Sequence, residues 1–309
     1  MGDFVDELRI LRNNFYLGSY AQVIAESAPP PGGVDSNPER TALYYRAQTA
    51  SGNPRAAQTE IPASAPAELQ AVKLQAAYVI ASKNGGGGAA APAAAEEKAR
   101  AVAALAALLA DSVHGLRSTV QAVCGAVFYQ EERYGDALVA VAKSPRNLEC
   151  VALAIQCYLK LDRTDLARKE VEKLKTWADD ATLAQLAEAW VSCFLGQEQN
   201  VMDAQYIFEE LASSKLSTGR LVTGLAVCKM QAGKFPEAER ILLEGLSRYA
   251  ADADLVANLI VCTSALGKPA EDVARIVEKL KEINPRHPLL EDLALKESLF
   301  ARAAQRYVS

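Results

Sequence analysis

The sequence predicts an all-α chain of stacked helix pairs forming a right-handed, curved superhelical solenoid with a capping helix at each end. Three observations predict it. Half of the 309 residues are apolar while only 6% are aromatic, and alanine recurs wherever small residues can pack; it has the best helix propensity and lets helix axes approach. Apolar residues keep helical spacing, as in Leu221, Leu225, Cys228 and Ala232 followed by Ile241, Leu242, Gly245 and Leu246, and no strand-length stretch alternates with period two. Finally, a short phrase repeats along the chain.

The phrase opens on a glycine or polar turn residue and closes five residues later on a small or apolar one. Its copies begin at Gly18, Gly52, Glu132, Asp162, Gly233 and, in decayed form, Gly267; Met202-Asp203-Ala204 is read as a further copy. Gly18 to Gly52 and Gly233 to Gly267 are each 34 residues, the period of the tetratricopeptide (TPR) helix-turn-helix repeat. The opening residue ends the first helix of a pair, where a left-handed backbone suits glycine. The small residue sits where the second helix crosses closest to the first.

The elements follow in chain order. Residues 3–15 form a first capping helix with Phe4, Leu8, Leu11 and Phe15 on one stripe. Repeats run from Gly18. The 80-residue gap from Ala57 to Ala137 is two units plus about a dozen extra residues, assigned to a flexible Gly/Ala-rich interhelical loop over 84–95. Asn284-Pro285-Arg286-His287-Pro288 then breaks the chain, and 284–309 supply a last capping helix with Leu289, Leu293, Phe300, Ala303 and Tyr307 inward. The whole of 1–309 reads as one domain.

Chemistry-bearing constellations are missing. The net charge is −5 with no Lys/Arg cluster, which argues against a nucleic-acid binder. The six cysteines (Cys124, Cys150, Cys157, Cys193, Cys228, Cys262) fall singly in apolar helical stretches, without a CxxC pair or a histidine at ligand spacing, and read as buried thiols of a reducing compartment. The two histidines, His114 and His287, read as solvated or capping residues. Gly85–Gly88 lacks the strand and GK[ST] of a phosphate loop. Trp177 and Trp190 read as packing residues. No catalytic residue, metal, cofactor or small-molecule substrate is expected. The start lacks a signal peptide, and the longest apolar run, Ala101–Ala110, is too short to span a bilayer.

A binding face can still be placed. In such a solenoid the first helix of each pair lines the concave surface, which puts Arg46, Thr49, Tyr129, Gln156, Leu159, Arg220, Thr223 and Met230 inward; Leu159 and Met230 read equally well as core. A carboxylate clamp of the co-chaperone type would need Lys, Arg and Asn at paired inward positions. Here those pairs are Ala42/Arg46, Ala122/Ala126, Ala152/Gln156 and Thr223/Val227, without Lys or Asn. A TPR adaptor binding another protein's peptide segment is the alternative reading.

Longer words in the chain are more specific. Asn14-Phe15-Tyr16-Leu17-Gly18-Ser19-Tyr20, Ser64-Ala65-Pro66-Ala67-Glu68-Leu69-Gln70-Ala71-Val72, Lys160-Leu161-Asp162-Arg163, Trp190-Val191-Ser192, Asp203-Ala204-Gln205-Tyr206-Ile207-Phe208 and Leu266-Gly267-Lys268-Pro269 occur in order. With them the chain resembles the ε subunits of coatomer, the COPI vesicle coat, over nearly its whole length. The Gly/Ala-rich insertion departs from that family between helices. The resemblance implies a non-enzymatic coat subunit, a bracelet-like solenoid that holds and stabilises the C-terminal region of the large α subunit beside the other coatomer subunits. It implies a cytoplasmic protein, peripheral on Golgi membranes and COPI vesicles through the coat, serving Golgi-to-ER and intra-Golgi transport.

If 84–95 is a loop, excising 85–92 leaves the melting temperature nearly unchanged, because each doubling of a flexible loop costs only about 0.6 kcal/mol. Thermal unfolding followed by circular dichroism reads this, and a fall of many degrees marks a packed segment.

Overall fold

The computed structural model describes residues 7–28, 37–85, 91–213 and 217–307; Phe4 of the first stripe and Gly86–Gly88 lie outside them. Among the described residues the regular structure is helical. In order the helices are α1 (Glu7–Leu17), α2 (Tyr20–Ser27), α3 (Pro38–Ala50), α4 (Arg55–Glu60), α5 (Ala67–Asn84) and α6 (Ala91–Ala110). After a 3₁₀ turn at His114–Leu116 come α7 (Ser118–Gln130), α8 (Tyr134–Val141), α9 (Leu148–Lys160), α10 (Thr164–Ala178) and α11 (Thr182–Leu195). The last are α12 (Glu198–Ser213), α13 (Gly219–Gln231), α14 (Phe235–Arg248), α15 (Ala253–Ala265), α16 (Ala270–Ile283) and α17 (Pro288–Ala304).

The recurring phrase marks the elbow of each pair. All six of its opening residues take positive φ: Gly18 (87°), Gly52 (95°), Glu132 (58°), Asp162 (56°), Gly233 (73°) and Gly267 (67°). At each, the next N–H reaches back five residues to a carbonyl, as from Ser19 to Asn14 (2.8 Å), Arg163 to Tyr158 (2.8 Å) and Lys234 to Lys229 (2.9 Å). That bond satisfies a carbonyl the helix end leaves open and turns the chain back. Five residues after the elbow stand Val23, Ala57, Ala137, Ala167 and Ala238, all fully buried against the first helix. Gly196 is one more elbow (φ 66°), and the residue in register with it is Val201, 3% exposed. The copy placed at Met202-Asp203-Ala204 is therefore three residues late, because Ala204 is buried one turn further along α12.

Caps set the starts. Asn37 accepts from the N–H groups of Glu39 (3.0 Å) and Arg40, with Pro38 opening α3, and Asn147 accepts from Cys150 N–H (3.1 Å) before α9. Asp252 does the same for α15. His287 caps α17 through Nδ1, and its Nε2 lies 3.1 Å from Asp254 Oδ1. It is a buried capping residue, and only His114 is exposed.

In place of one domain over 1–309, packing divides the chain into two compact units, 1–195 and 196–309. In the first, α1, α3, α5, α7, α9 and α11 each pack on the next, forming one layer of first helices, and α4, α6, α8 and α10 pack on the pairs they bridge. The main core there joins Tyr45, Ile61, Leu69, Leu105, Val127 and Phe128, with a second around Ile155, Val171 and Leu174. In the second unit, α13 and α15 pack together, with Leu242, Leu255 and Leu259 at the centre.

Three expectations are corrected. The extra residues of the 80-residue gap are not a loop over 84–95: α5 has 18 residues and α6 has 20, and α6 already begins at Ala91 with Ala94 buried. Alanine's helix propensity carries the segment, with Pro92 tolerated in the first turn, so excising 85–92 also removes the opening of α6. The C-terminal helix is not packed along its stripe. Leu289 and Leu290 dock on Val256, Ile260 and Leu280, but Phe300 is 76% and Tyr307 87% exposed, since no second helix covers them among the described residues. Five cysteines are buried, but Cys193 is only half-buried.

Glu132 holds a backbone conformation that costs a residue with a Cβ about 1 kcal/mol. Glu132→Gly is expected to stabilise the protein by up to about 0.6 kcal/mol, net of the about 0.4–1 kcal/mol of flexibility it adds to the unfolded chain. Gly233→Ala should destabilise it by a similar amount. Urea titrations of both variants test the pair of opposite signs.

Candidate functional site

The sequence-placed face divides between the two units. In the first, Arg46 and Thr49 sit on α3, Tyr129 on α7, and Gln156 and Leu159 on α9. Arg220, Thr223 and Met230 all belong to α13 of the second.

Arg46 is the residue the structure most redefines. It is 7% exposed, its guanidinium forks onto both carboxylate oxygens of Glu149 on α9, and its Cζ lies 4.7 Å from the centre of the Phe15 ring. It is thus consumed by an internal ion pair between residues 103 apart in sequence. The pair joins α3 to α9, and α1 packs on α11, so the first-helix layer of this unit curves back on itself. Glu149 raises the pKa of Arg46 against the opposing effect of burial; burial and the same carboxylate also push the Tyr16 hydroxyl up.

The others divide by burial. Leu159 is core, as its alternative reading had it. Met230 packs at the edge of the core around Leu242. Thr49 is half-buried and its hydroxyl donates to the Tyr45 carbonyl (2.8 Å). Tyr129 stacks edge-on against Tyr134 at 5.5 Å, and burial pushes its hydroxyl up to about 12. Gln156 and Thr223 are half-buried, and the Thr223 hydroxyl is buried without a hydrogen-bond partner. Arg220 is exposed. At the clamp positions, Ala42, Ala122 and Ala152 are at most 4% exposed, so they pack the solenoid and offer a peptide nothing.

Two concavities were not read from the sequence. One, of about 180 Å³, lies inside the first unit, walled by Arg12, Glu39, Arg46, Arg146, Glu149 and Trp177. Glu39 is held by Arg12 (2.6 Å) and Glu149 by Arg46. The other, of about 390 Å³, lies in the second unit between α12 and the α13–α14 elbow, with Met202 44% and Tyr206 64% exposed. The signal for the second was present: two large apolar residues one turn apart in α12, off the stripe of Val201, Ala204, Phe208 and Leu211. The first joins residues from five helices, and no local pattern announces it. Among the described residues no group of three His, Cys, Asp or Glu could hold a metal ion, and no helix is long and apolar enough to cross a membrane.

Known proteins decide the family. The chain matches the model of the coatomer epsilon subunit over residues 4–308. The chain belongs to the coatomer epsilon subunit family. Coatomer subunit epsilon-1 of Oryza sativa is 36% identical across 97% of this chain and 98% of its own length. That of Arabidopsis thaliana is 34% identical across 98% and 97%, and coatomer subunit epsilon of Caenorhabditis elegans 32% across 97% and 98%. Among solved structures, a tetratricopeptide repeat protein from Parabacteroides merdae aligns at TM-score 0.57 and 17% identity, covering 89% of this chain and 97% of that one. The Cut9-Hcn1 structure aligns at 0.59 and 13%, covering 94% and 55%. These two speak to the fold alone, an all-α TPR-like solenoid. Membership in the coatomer epsilon family makes the chain a subunit of the COPI coat, associated with other coatomer subunits in vesicle transport.

Removing Arg46 alone strands Glu149 beside a half-closed cavity. A fully buried pair broken on one side costs about 3–5 kcal/mol; with Glu149 22% exposed, Arg46→Met should cost about 2 kcal/mol. Arg46→Met with Glu149→Leu should recover most of it. Chemical denaturation of the two variants decides, and equal losses would show that the pair acts through packing.

Proposed function

We propose that this chain binds and stabilises the C-terminal region of the coatomer α subunit, as a non-enzymatic structural component of the COPI coat. The observation that carries the proposal is the family match from residue 4 to residue 308. The layered first helices of the first unit support it, since stacked helix pairs present an extended surface to a partner segment. The first unit contributes the half-buried polar positions Thr49 and Gln156 and the cavity beside Arg46. The second contributes Arg220 and the exposed Met202–Tyr206 pair. The setting that goes with this reading is cytoplasmic, on Golgi membranes and COPI vesicles through the coat, in Golgi-to-ER and intra-Golgi transport. No cofactor, nucleic acid or small-molecule substrate enters it. A peptide-gripping TPR adaptor gains little from the structure, because three of its clamp positions, Ala42, Ala122 and Ala152, are buried alanines and Arg46 is held by Glu149.

Co-expression with the C-terminal third of a coatomer α subunit, followed by gel filtration, should give one stable peak with both chains in equal amounts. Separate elution at micromolar concentration would refute the proposal.

A further inference from the structure

The cavity of the first unit is electrostatically unfinished. Of the charged groups around it, Arg12 answers Glu39 and Arg46 answers Glu149, but Arg146 has no ion-pair partner among the described residues. The opening turn of α7, Ser118 and Thr119, lines the same space, and no side chain caps it. Its first N–H groups lack intrahelical acceptors, and the helix dipole adds positive potential there. A third donor is stranded at the wall: Arg46 is more than nine-tenths buried and its Nε–H has no acceptor. Trp177, 38% exposed, forms the apolar side. Three arginines face two carboxylates around this mouth, so it keeps a net positive charge.

We propose that the cavity receives the carboxylate of an Asp or Glu side chain from the partner segment. The carboxylate lies between Arg146 and the first turn of α7, and the partner's neighbouring residue packs on Trp177. This rests on the reading that the partner is the α subunit and names the chemistry by which one part of this chain would recognise it. A carboxylate fits because it accepts from a guanidinium fork and from helix-terminal N–H groups together, and a volume of about 180 Å³ admits a side chain but no folded element. A positively charged segment would meet Arg146 with nothing to balance it.

The test is calorimetric titration of the full chain with the C-terminal third of the α subunit, at two salt concentrations. Arg146 is exposed, so Arg146→Glu and Arg146→Gln should fold as the parent does, which melting curves check. Arg146→Glu should weaken binding at least tenfold and Arg146→Gln about threefold, and the salt dependence should shrink in both. Reversing the acidic residues of the partner to Lys one at a time should then find one that restores affinity for Arg146→Glu while weakening the parent. Parent and Arg146→Glu binding within twofold of each other would overturn the cavity proposal and leave the coat reading standing. The absence of any binding by the parent chain would overturn the α-subunit reading itself, and this occupant with it.

Discussion

The left-handed residue at each helix elbow is the constraint on which the rest of the molecule depends. A chain leaving a helix with ordinary backbone angles continues outward. With positive φ at Gly18, Gly52, Gly233 or Gly267, the next N–H folds back onto an earlier carbonyl and the second helix is laid against the first. Everything periodic follows from that step: the buried small residue five positions on, the pairing of helices, and the layer of first helices that neighbouring pairs share. Glu132 and Asp162 show how strong the demand is, because the backbone keeps the same conformation where the side chain opposes it.

The fold was legible for this reason. A left-handed elbow favours glycine and a close crossing requires a small residue, so both leave letters in the sequence at fixed separation. Where those letters fail, so does the reading. Gly196 was missed because the small residue five positions on is a valine, while Ala204, one turn later, has the more typical face. The 84–95 segment is misread because glycine and alanine look alike as low-complexity sequence; alanine winds a backbone, and α6 runs from Ala91 through the alanine-rich part. The C-terminal stripe was read with the right period but the wrong neighbour, since periodicity says which residues share a face and nothing about what covers it.

The site was much less legible. The residues lie on α3, α7, α9 and α13, yet the role of each residue depends on groups far away in sequence. Arg46 looks free on its own helix, and only the return of α9 makes it half of an ion pair. Leu159 and Met230 are apolar residues whose burial depends on neighbouring pairs. The cavity gathers α1, α3, α7, α9 and α10, and its character comes from a charge left over after the others have paired. A repeat writes its own geometry into the sequence; what the array encloses is a property of several repeats at once.

The Arg46–Glu149 pair has a kinetic consequence. Most other contacts in the first unit join helices one or two apart in sequence, the low-contact-order arrangement that lets a chain assemble by local steps. This bond spans 103 residues and cannot form until the pairs between its ends have stacked. With the α1–α11 contact it therefore belongs to the closing steps of the unit's folding. Trp177 stands at the same mouth, so the chain carries an intrinsic fluorophore where that closure takes place.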